Sequence, residues 1–238
     1  MTDTRVSQAI DQILDAIASG AFAPDSPLPP EIELMQFLDV SRSTMREAVR
    51  DLSARGVLNV VHGRGTFINP ISQWSDLAMV ARFLTATASP HRVGMLLIEV
   101  RRMIEVGSCG LAAENRTEDD LAAMVRALEA FDAAAGNKDI EKVANADVAF
   151  HNAILRASGN PFLPPIMQPL QEALESSRRH TSANPSIRNR ARSHHWAIFE
   201  AIKVGDQNGA KDAMRDHMTQ TRSDIDAFLT DQPDQPES

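Results

Sequence analysis

The 238-residue chain has one cysteine, Cys109, so no internal disulfide can brace it. No apolar stretch approaches the roughly 20 residues of a membrane span. Nothing at the N-terminus joins a basic region to an apolar run and a small-residue cleavage site, so the expected location is the cytoplasm and no membrane partner is expected. Positive charge is short: 24 Lys and Arg against 32 Asp and Glu leave a net charge of −8, which excludes coating of nucleic acid by bulk attraction. Repeats of fixed period and extended heptads are missing, which excludes a solenoid or a long coiled coil. What the chain does have is 43% hydrophobic residues, enough for two cores.

The scarce positive charge is concentrated in one place. Between Ser41 and Arg64 five arginines (Arg42, Arg46, Arg50, Arg55, Arg64) face only Glu47 and Asp51. In VSRSTMREAVR, Val40 to Arg50, helical spacing sets Met45, Ala48, Val49 and Leu52 on one stripe and Arg42, Arg46 and Arg50 on the next. Ser41 or Ser43 can cap the first turn. Taken alone, this is either a reader of phosphates and base edges or an amphipathic helix with a solvated arginine face.

Its neighbours bear on that choice. Val6, Ile10, Ile13, Leu14 and Ile17 predict a helix up to Gly20, followed by the proline-rich connection AFAPDSPLPP. A second helix is expected over 30–38, and Asp39-Val40 leaves only a tight turn before the arginine helix, which ends at Arg55-Gly56: a helix-turn-helix arrangement. Val57, Leu58, Val60 and Val61, then Thr66, Phe67 and Ile68, predict two strands around His62-Gly63-Arg64-Gly65. Such a hairpin is a wing, whose tip brings His62 and Arg64 beside Gly63, where backbone can come close to a sugar-phosphate chain.

After a linker, only helices are expected: 75–88, 93–115, 118–135, 138–158, 161–181, 186–204 and 207–230. The fold class is therefore mostly α, an N-terminal winged helix-turn-helix of three helices plus a β-hairpin joined to an all-α antiparallel bundle of six or seven helices. The expected domains are 1–69, a linker over 70–74, the bundle over 75–230, and a polar disordered tail over 231–238.

Several polar groups fall on the apolar faces of the bundle. Asp147 and His151 are four apart on the stripe of Val143 and Ile154. His195 leads Ile198, Phe199 and Ile202, while His217 follows Ala210, Ala213 and Met214. Counted from the turn at Gly205, His195 and His217 come to nearly the same height in an antiparallel pair. Asp147, His151, His195 and His217 can thus converge on a divalent cation, with nitrogen and oxygen ligands suited to Zn, Ni, Co or Mn. The alternative is that each is a hydrogen-bonded core residue, and His194 competes with His195. Arg101, set among Leu97, Ile98 and Ile104, either pairs with Glu105 at i+4 or grips an anionic ligand.

LPPEIELMQFLDVSRSTMREAVRDLSARGVLNVVHGRGTFI, followed in order by LIEVRRMIEVGSCGLAA, ADVAFHNAIL and HHWAIFEAIKVGDQNGAKDAMRDHM, resembles the GntR family of bacterial transcription regulators, in its FadR-type branch with the all-helical ligand-binding domain called FCD. The resemblance covers nearly the whole chain. It implies a homodimeric repressor, not an enzyme, that binds near-palindromic double-stranded operator DNA and answers to a small carboxylate or sugar acid. Arg42, Thr44 and Arg46 would touch bases and phosphates, assisted by Ser41, Ser43 and Arg50, with His62, Gly63 and Arg64 at the wing. Asp147, His151, His195 and His217 would hold the metal, and Arg101 would meet the acid's carboxylate. One departure stands out: many relatives have arginine after the glutamate of the second helix, where this chain has Ile32. Two other readings are a metal-dependent hydrolase or lyase with an appended DNA-binding domain, and an architectural DNA-binding dimer with a structural metal. The HExxH arrangement that would favour the first is absent.

Overall fold

The structure, a computed structural model, describes residues 4–229. The expected tail over 231–238 lies outside them. Two compact units divide between Ala88 and Ser89.

In the N-terminal unit, α1 (Thr4–Ala18), α2 (Glu31–Leu38) and α3 (Arg42–Ala54) precede β1 (Leu58–Val61) and β2 (Gly65–Ile68). The strands pair antiparallel, Leu58 opposite Ile68 and Val61 opposite Gly65. Their turn is closed by the Arg64 amide donating to the Val61 carbonyl at 3.0 Å. The proline-rich connection lies along the free edge of β2: the Leu28 amide donates to the Thr66 carbonyl and the Ile68 amide to the Ser26 carbonyl. Ile13, Ile17, Met45, Leu52, Leu58 and Ile68 are fully buried between these elements.

Residues 70–88, expected as linker and first bundle helix, pack with this unit instead. Ile71–Gln73 form a 3₁₀ turn, Trp74 is buried and its indole N–H donates to the Asn69 carbonyl at 3.0 Å. α4 (Leu77–Thr87) adds Met79 to the same core and holds its Phe83 ring 5.2 Å from Trp74. Arg55 at the end of α3 bridges Asp51 and Asp76, each at 2.5 Å, and Arg82 pairs with Asp11 and Asp15 of α1. An amphipathic stripe says that a helix docks, but not on which core.

The second unit consists of α5 (Pro90–Asn115), α6 (Glu118–Gly136), α7 (Ile140–Ala157), α8 (Leu163–Met167), α9 (Gln171–Ala183), α10 (Pro185–Val204) and α11 (Gln207–Phe228). The helix expected over 161–181 is broken. Pro164, Pro165 and Pro169 lack the amide hydrogens a continuous helix needs, and a 3₁₀ turn at Gln168–Leu170 joins α8 to α9. The bundle packs α5 along α11 and α6 along α7. Its core, with Ile98, Leu128, Phe150, Ile154, Ile198 and Met214, surrounds the polar cluster described next.

Candidate DNA-reading face and metal centre

On α3 the buried stripe is Met45, Ala48 and Leu52, which leaves Arg42, Arg46 and Arg50 exposed on the opposite side. Ser41 caps the helix, its Oγ accepting from the Thr44 amide at 3.2 Å, and Ser43 Oγ lies 2.9 Å from Ser41 Oγ. Thr44 differs from the other expected contacts. It is 8% exposed and its hydroxyl lies 2.9 Å from Ser41 Oγ, so it belongs to the cap rather than to the open face. Glu31 of α2 stands 3.5 Å from Arg42 Nε and 3.7 Å from Arg46 Nε, while Arg50 leans to Glu47 at 4.0 Å. These exposed pairs are weak and exchangeable, so the guanidinium groups remain available to phosphate or a base edge. Ile32 is exposed beside them, where an arginine would have added one more donor fork. At the wing tip His62, Gly63 and Arg64 are all exposed, Gly63 has φ +73°, and the Arg64 guanidinium lies 5.9 Å from the Phe67 ring centre.

In the bundle, α7, α10 and α11 bring His151, His195 and His217 together, at 3%, 0% and 4% exposure. One ring nitrogen from each lies within 4.8 Å of the others. Asp147 Oδ1 is 3.4 Å from His195 Nε2 and 3.7 Å from His151 Nε2. His194, the competitor, is half-buried with its ring 5.8 Å from His217; it lines the adjoining cavity, and His195 faces the cluster.

The protonation states suit a cation. Burial pushes His195 down to about 3 and His217 well below the usual imidazole range, so both present neutral rings with lone pairs. Burial alone would raise Asp147, but its positive surroundings, the Arg178 guanidinium foremost, outweigh it and hold the carboxyl well below its usual range. Both ring nitrogens of His195 lack a hydrogen-bond partner among the described residues, a costly state for a buried imidazole unless something else completes it. A donor set of three imidazoles and one carboxylate is what a divalent cation takes, so the residues present fit such an ion.

Behind the rings, Glu105 Oε2 lies 2.5 Å from His151 Nδ1, in charge contact though not aligned as a hydrogen bond. Arg101 Nη2 lies 3.2 Å from His151 Nε2. Both neighbours favour the tautomer with its proton on Nδ1, and the Nε2 lone pair then accepts from Arg101, a donor with which a cation at the cluster would compete. Arg101 makes the pair left open by its spacing: its Nε donates to Glu105 Oε1 at 2.6 Å and its Nη2 reaches Glu105 Oε2 at 3.5 Å. Arg178 on α9, which the sequence did not suggest, holds its Nε 2.7 Å from Asp147 Oδ2. Leu170, Leu174, Arg178 and Ser182 recur every four residues, a signal obscured while the proline-broken stretch is taken as one helix.

The FCD domain family matches residues 96–220, and the bacterial regulatory proteins of the gntR family match residues 5–68. The galactonate operon transcriptional repressor of Escherichia coli (strain K12) is 30% identical, over 90% of this chain and 93% of that protein. The chain belongs to the GntR family of transcriptional regulators, in its FadR-type branch. It is a DNA-binding regulator and not an enzyme. The Glc operon transcriptional activator of the same E. coli strain is 28% identical over 92% of this chain and 87% of that one. Among solved structures, a GntR protein of Streptococcus agalactiae aligns with a TM-score of 0.53 at 27% identity, covering 92% of this chain and 99% of that one. Within this GntR-family chain no described helix is long and apolar enough to cross a membrane.

Proposed function

We propose that the chain is a homodimeric, cytoplasmic transcriptional repressor whose operator binding is governed by a small organic acid held at a divalent-metal site in its C-terminal unit. Ser41, Arg42, Ser43, Arg46 and Arg50 read a near-palindromic operator through the major groove. Thr44 fixes the first turn of that helix, and His62, Gly63 and Arg64 follow the neighbouring backbone. Residues 1–69 form the reader and the bundle through residue 229 the sensor.

Asp147, His151, His195 and His217 hold Zn, Ni, Co or Mn. When bound, the cation supplies a Lewis-acidic centre with positions open to a ligand carboxylate. Arg101 adds positive charge beside it. The observation that carries the reading is the buried imidazole cluster opening on a cavity lined by Arg101, Asp147, Arg178 and His217. The cavity has a volume of about 50 Å³, several times the ~10–15 Å³ one water needs, which suits a short acid. Acid binding favours one packing of the bundle and thereby shifts the population competent for DNA. The repressor sign follows the relative named as a repressor; the relative named as an activator supplies the opposite outcome.

Mobility-shift titration of the chain's own promoter region, with and without candidate acids, tests the coupling. An acid that binds by calorimetry yet never alters DNA affinity removes it, and tighter DNA binding with acid reverses the sign. In the same assay Arg46→Ala should lose about 1–3 kcal/mol of operator discrimination, read as the ratio of specific to nonspecific affinity.

A further inference from the structure

The arginine face of α3 continues onto α2 through one apolar side chain. Ile32, the second residue of α2, is 68% exposed and stands outside the core of its unit. Phe37, the other large apolar residue exposed on α2, is turned about 140° round the helix from it and meets the Phe22 ring edge-on, with centres 5.7 Å apart. Ile32 has no such neighbour on its own face among the aromatic contacts of the described residues.

Glu31 fixes where Ile32 stands. Its Oε1 lies 3.5 Å from Arg42 Nε and 3.7 Å from Arg46 Nε, and that oxygen is shut off from solvent without a hydrogen-bond partner among the described residues. The first turn of α2 therefore abuts the arginines at the start of α3, and DNA held by those arginines comes up against Ile32 as well.

Two kinds of DNA surface can meet an isoleucine there. Phosphates are the poorer match: Ile32 has no donor to offer them, and the carboxylates of Glu31 and Glu33 on either side repel them. Base edges in the major groove are mostly donors and acceptors, and an apolar side chain pressed on them removes their water without replacing it. The C5 methyl of thymine is the exception, an apolar group that marks a T·A pair in that groove.

We infer that Ile32 is a specificity-determining residue that reads the C5 methyl of a thymine at or next to the pairs read by Arg42 and Arg46. The first turn of α2 is then part of the base-reading face and not only a support for α3. This rests on the proposal that α3 reads the operator through the major groove, and it adds which base pair lies beside the arginines and which side chain selects it.

The test is a thymine-to-uracil scan, which deletes one methyl at a time and leaves every base-edge donor and acceptor in place. The probe is a duplex that the full-length chain selects from random sequence, titrated at fixed salt and followed by fluorescence anisotropy. For wild type, one thymine in each half-site should lose about fourfold in affinity as uracil, the worth of one buried carbon at ~0.8 kcal/mol. Ile32→Ala should bind the unmodified duplex about fourfold or more weakly and be indifferent to uracil at that place. Its affinity should fall with salt as steeply as that of wild type, because no phosphate contact is lost. Thermal melting checks that the variant is folded, and Ile32→Gln repeats the comparison if Ile32→Ala melts early.

No thymine methyl that matters to wild type, the same uracil penalty in Ile32→Ala, wild-type affinity in Ile32→Ala, or a shallower salt dependence in that variant overturns the inference. Arg46→Ala, titrated alongside, keeps the two readings apart. If it still loses operator discrimination, the reading by α3 stands and only the part given to Ile32 falls. If Arg46→Ala discriminates as wild type does, or if no sequence is selected at all, that reading falls and the inference with it.

Discussion

Glu105 shows how one side chain can serve two neighbours. Its carboxylate compensates Arg101 and contacts the Nδ1 side of His151, and despite complete burial the Arg101 charge, with the His151 contact, holds it well below the usual carboxylate range. A carboxylate behind an imidazole fixes the tautomer and raises the basicity of the opposite nitrogen. Glu105→Gln should therefore weaken zinc binding about 10- to 100-fold in competition with a chromogenic chelator, with helical content unchanged. Cys109 makes the contrasting case. It is fully buried, and burial together with the Glu105 charge pushes its thiol well above the usual range, so the reactive thiolate is suppressed. A disulfide exchange reagent should find no thiol in the native chain and one per chain in guanidinium. Fast native labelling would show that α5 opens readily.

Among the elements, the stretch following α3 shows a sharp backbone constraint. Gly56 has φ +75°, and a Cβ there would stand 2.4 Å from the Gln73 carbonyl oxygen. Gly56→Ala should thus cost more than the ~1 kcal/mol usual for an unfavourable left-handed residue, because β1 and the 3₁₀ turn must also separate. Denaturant melts compared with wild type would read the loss, and an unchanged midpoint would mean that Gln73 yields freely. The caps and breaks of these elements were written locally: Ser41 before α3, Thr117 with Asp120 in a capping box before α6, and Gly205 in the left-handed conformation after α10. The division of 161–181 was equally local, since Pro164, Pro165 and Pro169 stand in the sequence and each removes an amide donor from the helix. The docking of α4 was not local. Met79 and Phe83 would suit either core, and Arg55–Asp76 and the Arg82 pairs with Asp11 and Asp15, which link residues 21 to 71 apart, decided for the first unit.

At the scale of the whole molecule, burying neutral imidazoles makes stability depend on pH. His195 is pushed down to about 3 and His217 well below its usual range, while in the unfolded chain both would titrate near 6.5. Between these limits the unfolded state binds more protons, so stability is fully present above about pH 6.5 and is lost as pH falls. For metal-free protein each of these imidazoles should remove up to about 1.4 kcal/mol per pH unit below 6.5, seen as a falling melting temperature from pH 7 to pH 5. Added zinc should raise the melting temperature most at pH 7 and progressively less toward pH 5, because protons compete for the same nitrogens. A melting temperature that is flat over this range would mean that the histidines are already charged or exposed.

Periodicity alone was enough for the two-part architecture, for the buried stripe and arginine face of α3, and for the inward faces of His151, His195 and His217, because helical spacing at 3.6 residues per turn is a property of consecutive residues. It also marked Arg101 and Glu105 as neighbours. Tertiary packing had to decide what lay between helices: that His195 rather than His194 meets the other rings, that Glu105 backs His151, that Thr44 is buried, that residues 70–88 join the first core, and that Arg178 pairs with Asp147. Those pairings join residues tens of positions apart, and their energy comes from burial and charge at a place no single helix contains.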